Sequence, residues 1–432
     1  MSDILAPAVG HPDRSFPRLH PRPAYGWVND PNGILFTEGR WHLFFQYNPD
    51  SARHERICWG HVSSPDLLRW EEHPIALRPQ EGGPDAAGCF SGVGALDDGV
   101  PTAIYSGVVG FDGRSEVVIA RGSADAERWE QTGRVAARMP ADPAITMVRD
   151  PFLFELGGRR WALQGSGLAG DRGALLLYAA DDLDAWEEHG FLLTSDDEVA
   201  AQLPACEGWE CPQLVRSGDD WVVLVSLWRD GRPHLGVGYI IGALDIDPAS
   251  GLPAFRGRAS GILDEGAAFY APQAVQDEHG DRVLLWGWAQ EVAEDGARAR
   301  TQEDSDAQGW SGLLTFPREL QVRSDDVDLA PARELDALRA QEVDPAALPD
   351  QAEIRLSGDG LADLRLGDQV VWRGELGGDD VRILIDASIV EVHPRGRASV
   401  TLRAYPAEGE HYAVSAEPGV SATAWRLALP QE

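Results

Sequence analysis

Five runs rich in aromatic and β-branched residues recur along the chain at an interval near sixty residues. That period limits the fold more than any other feature of the sequence. The runs are 41–47 (WHLFFQY), 102–106 (TAIYS), 161–165 (WALQG), 221–227 (WVVLVSL) and 283–288 (VLLWGW). Aligned by pattern, their starts near 41, 103, 161, 221 and 283 step by 62, 58, 60 and 62. Each reads as a strand and follows a turn signal (Glu38-Gly39, Asp98-Gly99, Gly157-Gly158, Gly218-Asp219, His279-Gly280), with another candidate strand before the turn. Every unit therefore opens with a hairpin. The second half repeats as well: a strand, a polar turn and a Trp-Glu pair at Trp70, Trp129 and Trp186. The fourth unit keeps the strand, within 236–247, without the pair. Four strands per unit at this period predict a five-bladed β-propeller, with the Trp-Glu positions in blade core and turns.

The rhythm changes after Pro317. Residues 328–338 (DLAPARELDAL) read as a partly helical linker. From Ala352 the segments AEIRLSG, LADLRLG, QVVWRGEL, VRILIDASIVEVHP, ASVTLRAY, YAVSA and TAWRLAL alternate apolar and polar residues between Gly/Asp turns. That pattern predicts a β-sandwich of antiparallel sheets. The expected plan is all-β: a propeller over 1–325, a linker over 326–345 and a sandwich over 346–432.

Composition narrows the partners. Acids outnumber bases 70 to 37, a formal net charge of −33, which argues against nucleic acid and anionic membrane. No apolar run near the start suits a signal peptide, and none elsewhere reaches membrane-spanning length. Cys58, Cys89, Cys206 and Cys211 show no metal-type pairing and are too few for a disulfide framework, so a cytoplasmic location is expected. Fifteen tryptophans leave room for sugar stacking.

The candidate chemistry lies where the first strand of each unit begins, at positions 30, 91, 150, 210 and 271. Three of these are acids: Asp30, Asp150 and Glu210. The innermost strands of a propeller line its axis, so the three carboxylates are expected to converge at one mouth of the channel. Clustered carboxylates raise one another's pKa, and a chain that keeps them uses them for catalysis or for metal. No dense acidic ligand loop is present, and Trp27, Trp59, Phe90, Trp209, Tyr270 and Trp288 nearby suit a sugar ring better than a hydrated ion. Paired carboxylates with aromatic walls are the apparatus of glycoside hydrolysis. Glu210, between Trp209 and Cys211-Pro212, is the better proton donor, and Asp30, among amide donors, the better stabilised anion. No cofactor and no metal are expected.

These residues resemble glycoside hydrolase family 32, the β-fructofuranosidases that include invertases, sucrose-6-phosphate hydrolases, levanases and inulinases. The likeness rests on 29–33 (NDPNG), 149–151 (RDP) and 210–211 (EC). Supporting stretches are 44–49 (FFQYNP), 59–61 (WGH), 90–92 (FSG), 269–273 (FYAPQ), 309–320 (GWSGLLTFPREL) and 381–392 (VRILIDASIVEV). The resemblance implies a propeller followed by a sandwich, and a retaining enzyme acting on sucrose or short fructo-oligosaccharides. In it Asp30 would be the nucleophile, Glu210 the acid and then base, and Asp150 the stabiliser of the transition state, with the two catalytic carboxyls about 5–5.5 Å apart. It also implies that Asn29, Gln46, Trp59, Phe90, Ser91, Arg149 and Trp288 hold the fructosyl ring. Gln213 stands where many sucrose-cleaving relatives carry an aspartate, which bears on the leaving-group side. Alternatives are an exo-acting levanase or inulinase, a fructosyltransferase, or a non-catalytic fructan-binding propeller. The oligomeric state is left open.

Overall fold

A computed structural model describes residues 11–230, 235–277, 280, 282–291 and 300–430. His279, part of the fifth expected turn, lies outside them. Five antiparallel sheets succeed one another around an axis. Their innermost strands are Gly26–Thr37, Gly88–Asp97, Ile145–Leu156, Gly208–Ser217 and Phe269–Gln276. Each abuts the next, and the last abuts the first.

The expected runs form the second strand of each blade: Arg40–Asn48, Val100–Val108, Arg159–Leu168, Asp220–Trp228 and Val283–Ala289. These strands are covered by neighbouring blades on both faces, which explains why they read as continuous apolar stretches such as VVLV rather than as alternation. Trp70, Trp129 and Trp186 pack against the blade cores.

Two features differ from expectation. Asp326–Pro331, placed in a linker, pairs with Arg318–Arg323 as the outer strand of blade five. Only Arg333–Leu338 is helical, as one short 3₁₀ segment, and Arg339–Val343 already pairs with the sandwich strand Val420–Leu427. The run was misread because Pro331 and the alanines around it look like linker composition, whereas Val327 and Leu329 are buried in the blade. In the sandwich, AEIRLSG and LADLRLG form one strand, Gln351–Leu366. Its first half pairs with Val381–Asp386 and Val420–Leu427, and its second with Gln369–Gly377 and Tyr412–Ala416. The strand crosses between layers at Gly358 and Gly360, whose φ of +111° and +134° only glycine adopts without strain.

The ring is closed by a short segment. Trp310–Ser311 pairs in parallel with Gly26-Trp27 of blade one, and Leu313–Leu314 pairs with Trp288-Ala289 of blade five. Gly312 lies between them at φ +65°, and a Cβ there would overlap the Val28 carbonyl.

The two domains meet around Arg318, which is fully buried. Its guanidinium donates to Asp264 at 2.8 Å, to Glu391 of the sandwich at 2.7 and 2.9 Å, and to Thr401 at 2.6 Å. His20 bridges Asp386 and Glu391 at 2.8 and 3.0 Å. Burial alone would raise the Glu391 carboxyl, but Arg318 and the hydrogen bond from His20 hold it well below its usual range. Removing one member strands the others as buried charge. Arg318→Met should therefore cost about 3–5 kcal/mol, read as a lowered midpoint in denaturant unfolding.

Candidate active site

The innermost strands do not run evenly to the mouth of the channel. In all five blades their pairing slips there, across residues 28–31, 90–92, 149–152, 210–213 and 270–273. In three blades the slip holds a non-glycine residue at positive φ followed by proline: Asp150 (+59°), Cys211 (+44°) and Ala271 (+44°). A bulge of this kind turns side chains out of the sheet plane toward the axis. It also frees backbone N–H groups, which neighbouring blades satisfy. Asp150 N–H donates to Ser106 Oγ at 2.7 Å, and Cys211 N–H donates to Asp150 Oδ2 at 2.9 Å.

This geometry corrects the expected ring. Cys211-Pro212, not Glu210-Cys211, is equivalent to Asp150-Pro151 and Ala271-Pro272. Glu210 instead occupies the preceding slot, with Arg149 and Tyr270, each the last paired residue before its bulge. A one-residue step inside a strand reverses side-chain direction, so Glu210 is not presented like Asp150.

The structure gathers Asp30, Asp150 and Glu210 on one cavity of about 310 Å³, together with Asn29, Gln46, Phe90, Ser91, Arg149 and Trp288. Asp30 is 9% exposed, Asp150 5% and Glu210 9%. Asn29 donates to Asp30 Oδ1 at 3.0 Å, while Ser91 and Gln46 donate to Oδ2 at 2.5 and 3.3 Å. Trp27 Nε1 fixes Asn29 by donating to its Oδ1 at 2.7 Å. Glu210 accepts from Arg149 at 3.1 Å and from Tyr270 Oη at 2.9 Å. Cys211 Sγ lies 3.6 Å from Asp30 Oδ2 and 3.4 Å from Asp150 Oδ2.

Burial raises all three carboxyls. Glu210 adds to the rise at Asp30 and Asp150, the Ser91 hydrogen bond opposes it at Asp30, and Arg149 opposes it at Asp150 and Glu210. Asp150 is pushed up to about 7. Three carboxylates in so dry a site cannot all ionise freely, and they titrate as a group.

Trp59 and Trp209 are corrections. Trp59 is fully buried and packs against Phe44 and Tyr105. Its indole N–H donates to the Phe90 carbonyl at 3.1 Å, so it supports the cavity wall without reaching the cavity. Trp209 packs over Gly173 inside blade three's neighbour contact. Gln213 also turns inward: it accepts from Ala274 N–H at 2.8 Å and ties blade four to blade five. Gln273 similarly bridges Ile34 N–H and the Gly92 carbonyl across the channel, so buried amides cross-link the strands below the acids.

One lining residue, Trp228, escaped the sequence reading, and another, His54, reads there only as a structural or rim residue. Trp228 ends the second strand of blade four, two residues beyond Ser226, which is opposite Glu210; alternation along that strand was the available signal. His54 comes from the loop after Asn48 and sits edge-on to Trp27 and Phe90, at centroid distances of 5.8 and 5.6 Å; no periodicity reaches it. Among the described residues, no group of three or more His, Cys, Asp or Glu is placed to hold a metal ion. None of their helices is long and apolar enough to cross a membrane.

A propeller mouth with three buried acids walled by aromatics defines a glycosidase-type cavity. The sequence profile for the "Glycosyl hydrolases family 32 N-terminal domain" matches residues 20–331, and the chain belongs to this family of glycoside hydrolases. It is 31% identical to a sucrose-6-phosphate hydrolase of Klebsiella pneumoniae, over 96% of this chain and 94% of the relative. It is also 31% identical to a raffinose invertase of Escherichia coli, over 90% of both. Among solved structures, a Bombyx mori GH32 β-fructofuranosidase superposes with a TM-score of 0.79 at 26% identity, covering 97% of this chain and 95% of that one.

The raised carboxyls carry a stability consequence. A carboxyl whose folded pKa lies above its unfolded value contributes stability below the unfolded pKa, and that contribution is lost as pH rises through the folded value. Asp150→Asn, which cannot ionise, should therefore be more stable than the parent at pH 8, by at least on the order of 1 kcal/mol, and no more stable at pH 4. Thermal melts at the two pH values read this difference.

Proposed function

We propose that this enzyme is a retaining β-fructofuranosidase that removes terminal fructosyl units from sucrose or short fructo-oligosaccharides. The observation that carries the reading is the gathering of two buried carboxyls, Asp30 and Glu210, on one aromatic-walled cavity. Asp30 receives three side-chain donors, from Asn29, Ser91 and Gln46, and Glu210 is held by Arg149 and Tyr270 from the inner strands of the two neighbouring blades. The names of the relatives, a sucrose-6-phosphate hydrolase, a raffinose invertase and a β-fructofuranosidase, support the substrate class.

In the first step an Asp30 oxygen attacks the anomeric carbon of the fructosyl ring. The bond from that carbon to the glycosidic oxygen breaks, and Glu210 gives its proton to the departing sugar. In the second step Glu210 takes a proton from water, the water oxygen bonds to the anomeric carbon, and the ester to Asp30 breaks. Both carboxyls return to their starting states. Asp150 accepts hydrogen bonds from ring hydroxyls and offsets the positive charge that develops on the ring. Asn29, Gln46, Ser91 and Arg149 orient the sugar, and Phe90 and Trp288 wall it.

Asp30→Asn and Glu210→Gln should each lower kcat on sucrose by about 10²–10⁴-fold or more while the circular dichroism spectrum stays unchanged. Full activity in either variant would remove that residue from its role. NMR of the first-formed fructose should show the same anomeric configuration as the substrate. Inversion would sink the mechanism.

A further inference from the structure

A second chamber, of about 460 Å³, opens beside the acid cavity and shares Phe90, Arg149 and Trp228 with it. A fructosyl unit seated over Asp30 leaves this chamber as the adjoining space for whatever is bonded to it. Its walls have a definite chemistry. Phe111, at 72% exposed, presents a bare aromatic face on the chamber, 6.0 Å from the Phe90 ring between centroids. Such a face suits the apolar side of a pyranose ring.

Around it stand four carboxylates, Asp112, Asp171, Glu207 and Asp230. Among the described residues none of the four is paired with a basic side chain. Among the described residues, Arg114 is the one cation of the lining not already engaged, because Arg149 is drawn to Glu210. Carboxylates without a cationic partner accept hydrogen bonds from sugar hydroxyls but repel a phosphate dianion, and among the described residues of the lining one arginine does not balance four acids.

We propose that this chamber takes an uncharged glycosyl leaving group, with Phe111 as its stacking face, and that it discriminates against a leaving group carrying phosphate. The inference rests on the fructosidase reading above and adds the class of sugar across the scissile bond. It separates this enzyme from those relatives whose names specify sucrose 6-phosphate.

The test measures kcat/KM for sucrose and for sucrose 6-phosphate at pH 7 and low salt, and inhibition by glucose and by glucose 6-phosphate. Sucrose should be favoured by about tenfold or more, and the ratio should shrink with added sodium chloride as the acids are screened. The double variant Asp171→Asn/Glu207→Gln should narrow the ratio by raising kcat/KM on the phosphorylated sugar. Phe111→Ala should raise KM for sucrose with little change in kcat. Preference for sucrose 6-phosphate, or a ratio indifferent to both salt and the double variant, would overturn the proposal while leaving the fructosidase reading intact. Absence of hydrolysis on every fructoside, with Asp30 and Glu210 in place, would instead overturn the reading beneath it.

Discussion

The site depends on interrupted pairing at the channel mouth. Five inner strands line the axis with their side chains alternating between blade faces, and no regular strand end would aim several carboxylates at one point. The bulges do so. Residues at positive φ without a glycine cost about 1–3 kcal/mol each, and here they precede prolines that cannot join the ladder. The strain at Asp150 and Cys211 persists because the freed N–H groups are taken up by side chains of the preceding blade. The same contacts hold the acids, so local strain and acid placement have one structural origin.

The five-blade plan was legible because the second strands are buried on both faces and advertise themselves as apolar runs at a steady interval. The two aspartates were legible through the prolines that follow them. Glu210 was placed one slot late, because the alignment rested on acid identity rather than on the proline. Once Pro212 is aligned with Pro151 and Pro272, the equivalent residue is Cys211. Trp59 misled for a different reason. An indole beside a sugar-type motif reads as a stacking face, yet its contribution is a hydrogen bond to the Phe90 carbonyl from within the core. His54 comes from a loop with no pattern to read. Asp326–Pro331 escaped because edge strands with alanine and proline look like connectors.

Arg318 sets the relation between the domains. It lies in blade five, yet its partners come from a loop of the propeller and from two sandwich strands. His20, from the segment before blade one, reaches the same carboxylate. Start, middle and end of the chain thus share one buried charge cluster. The sandwich is in this way tied to the same sheet that supplies Tyr270 and Trp288 to the cavity.

Ring closure by the segment 310–314 has a consequence for how the protein is made. A chain emerging from the ribosome carries Asp30, Asp150 and Glu210 long before Trp310, and domains form in the order they are synthesised. Until Trp310–Ser311 docks beside Gly26-Trp27, blade one has an open edge and blade five has no seam. Closure of the ring that gathers the three acids therefore depends on a segment that follows the last of them, Glu210, by about 100 residues.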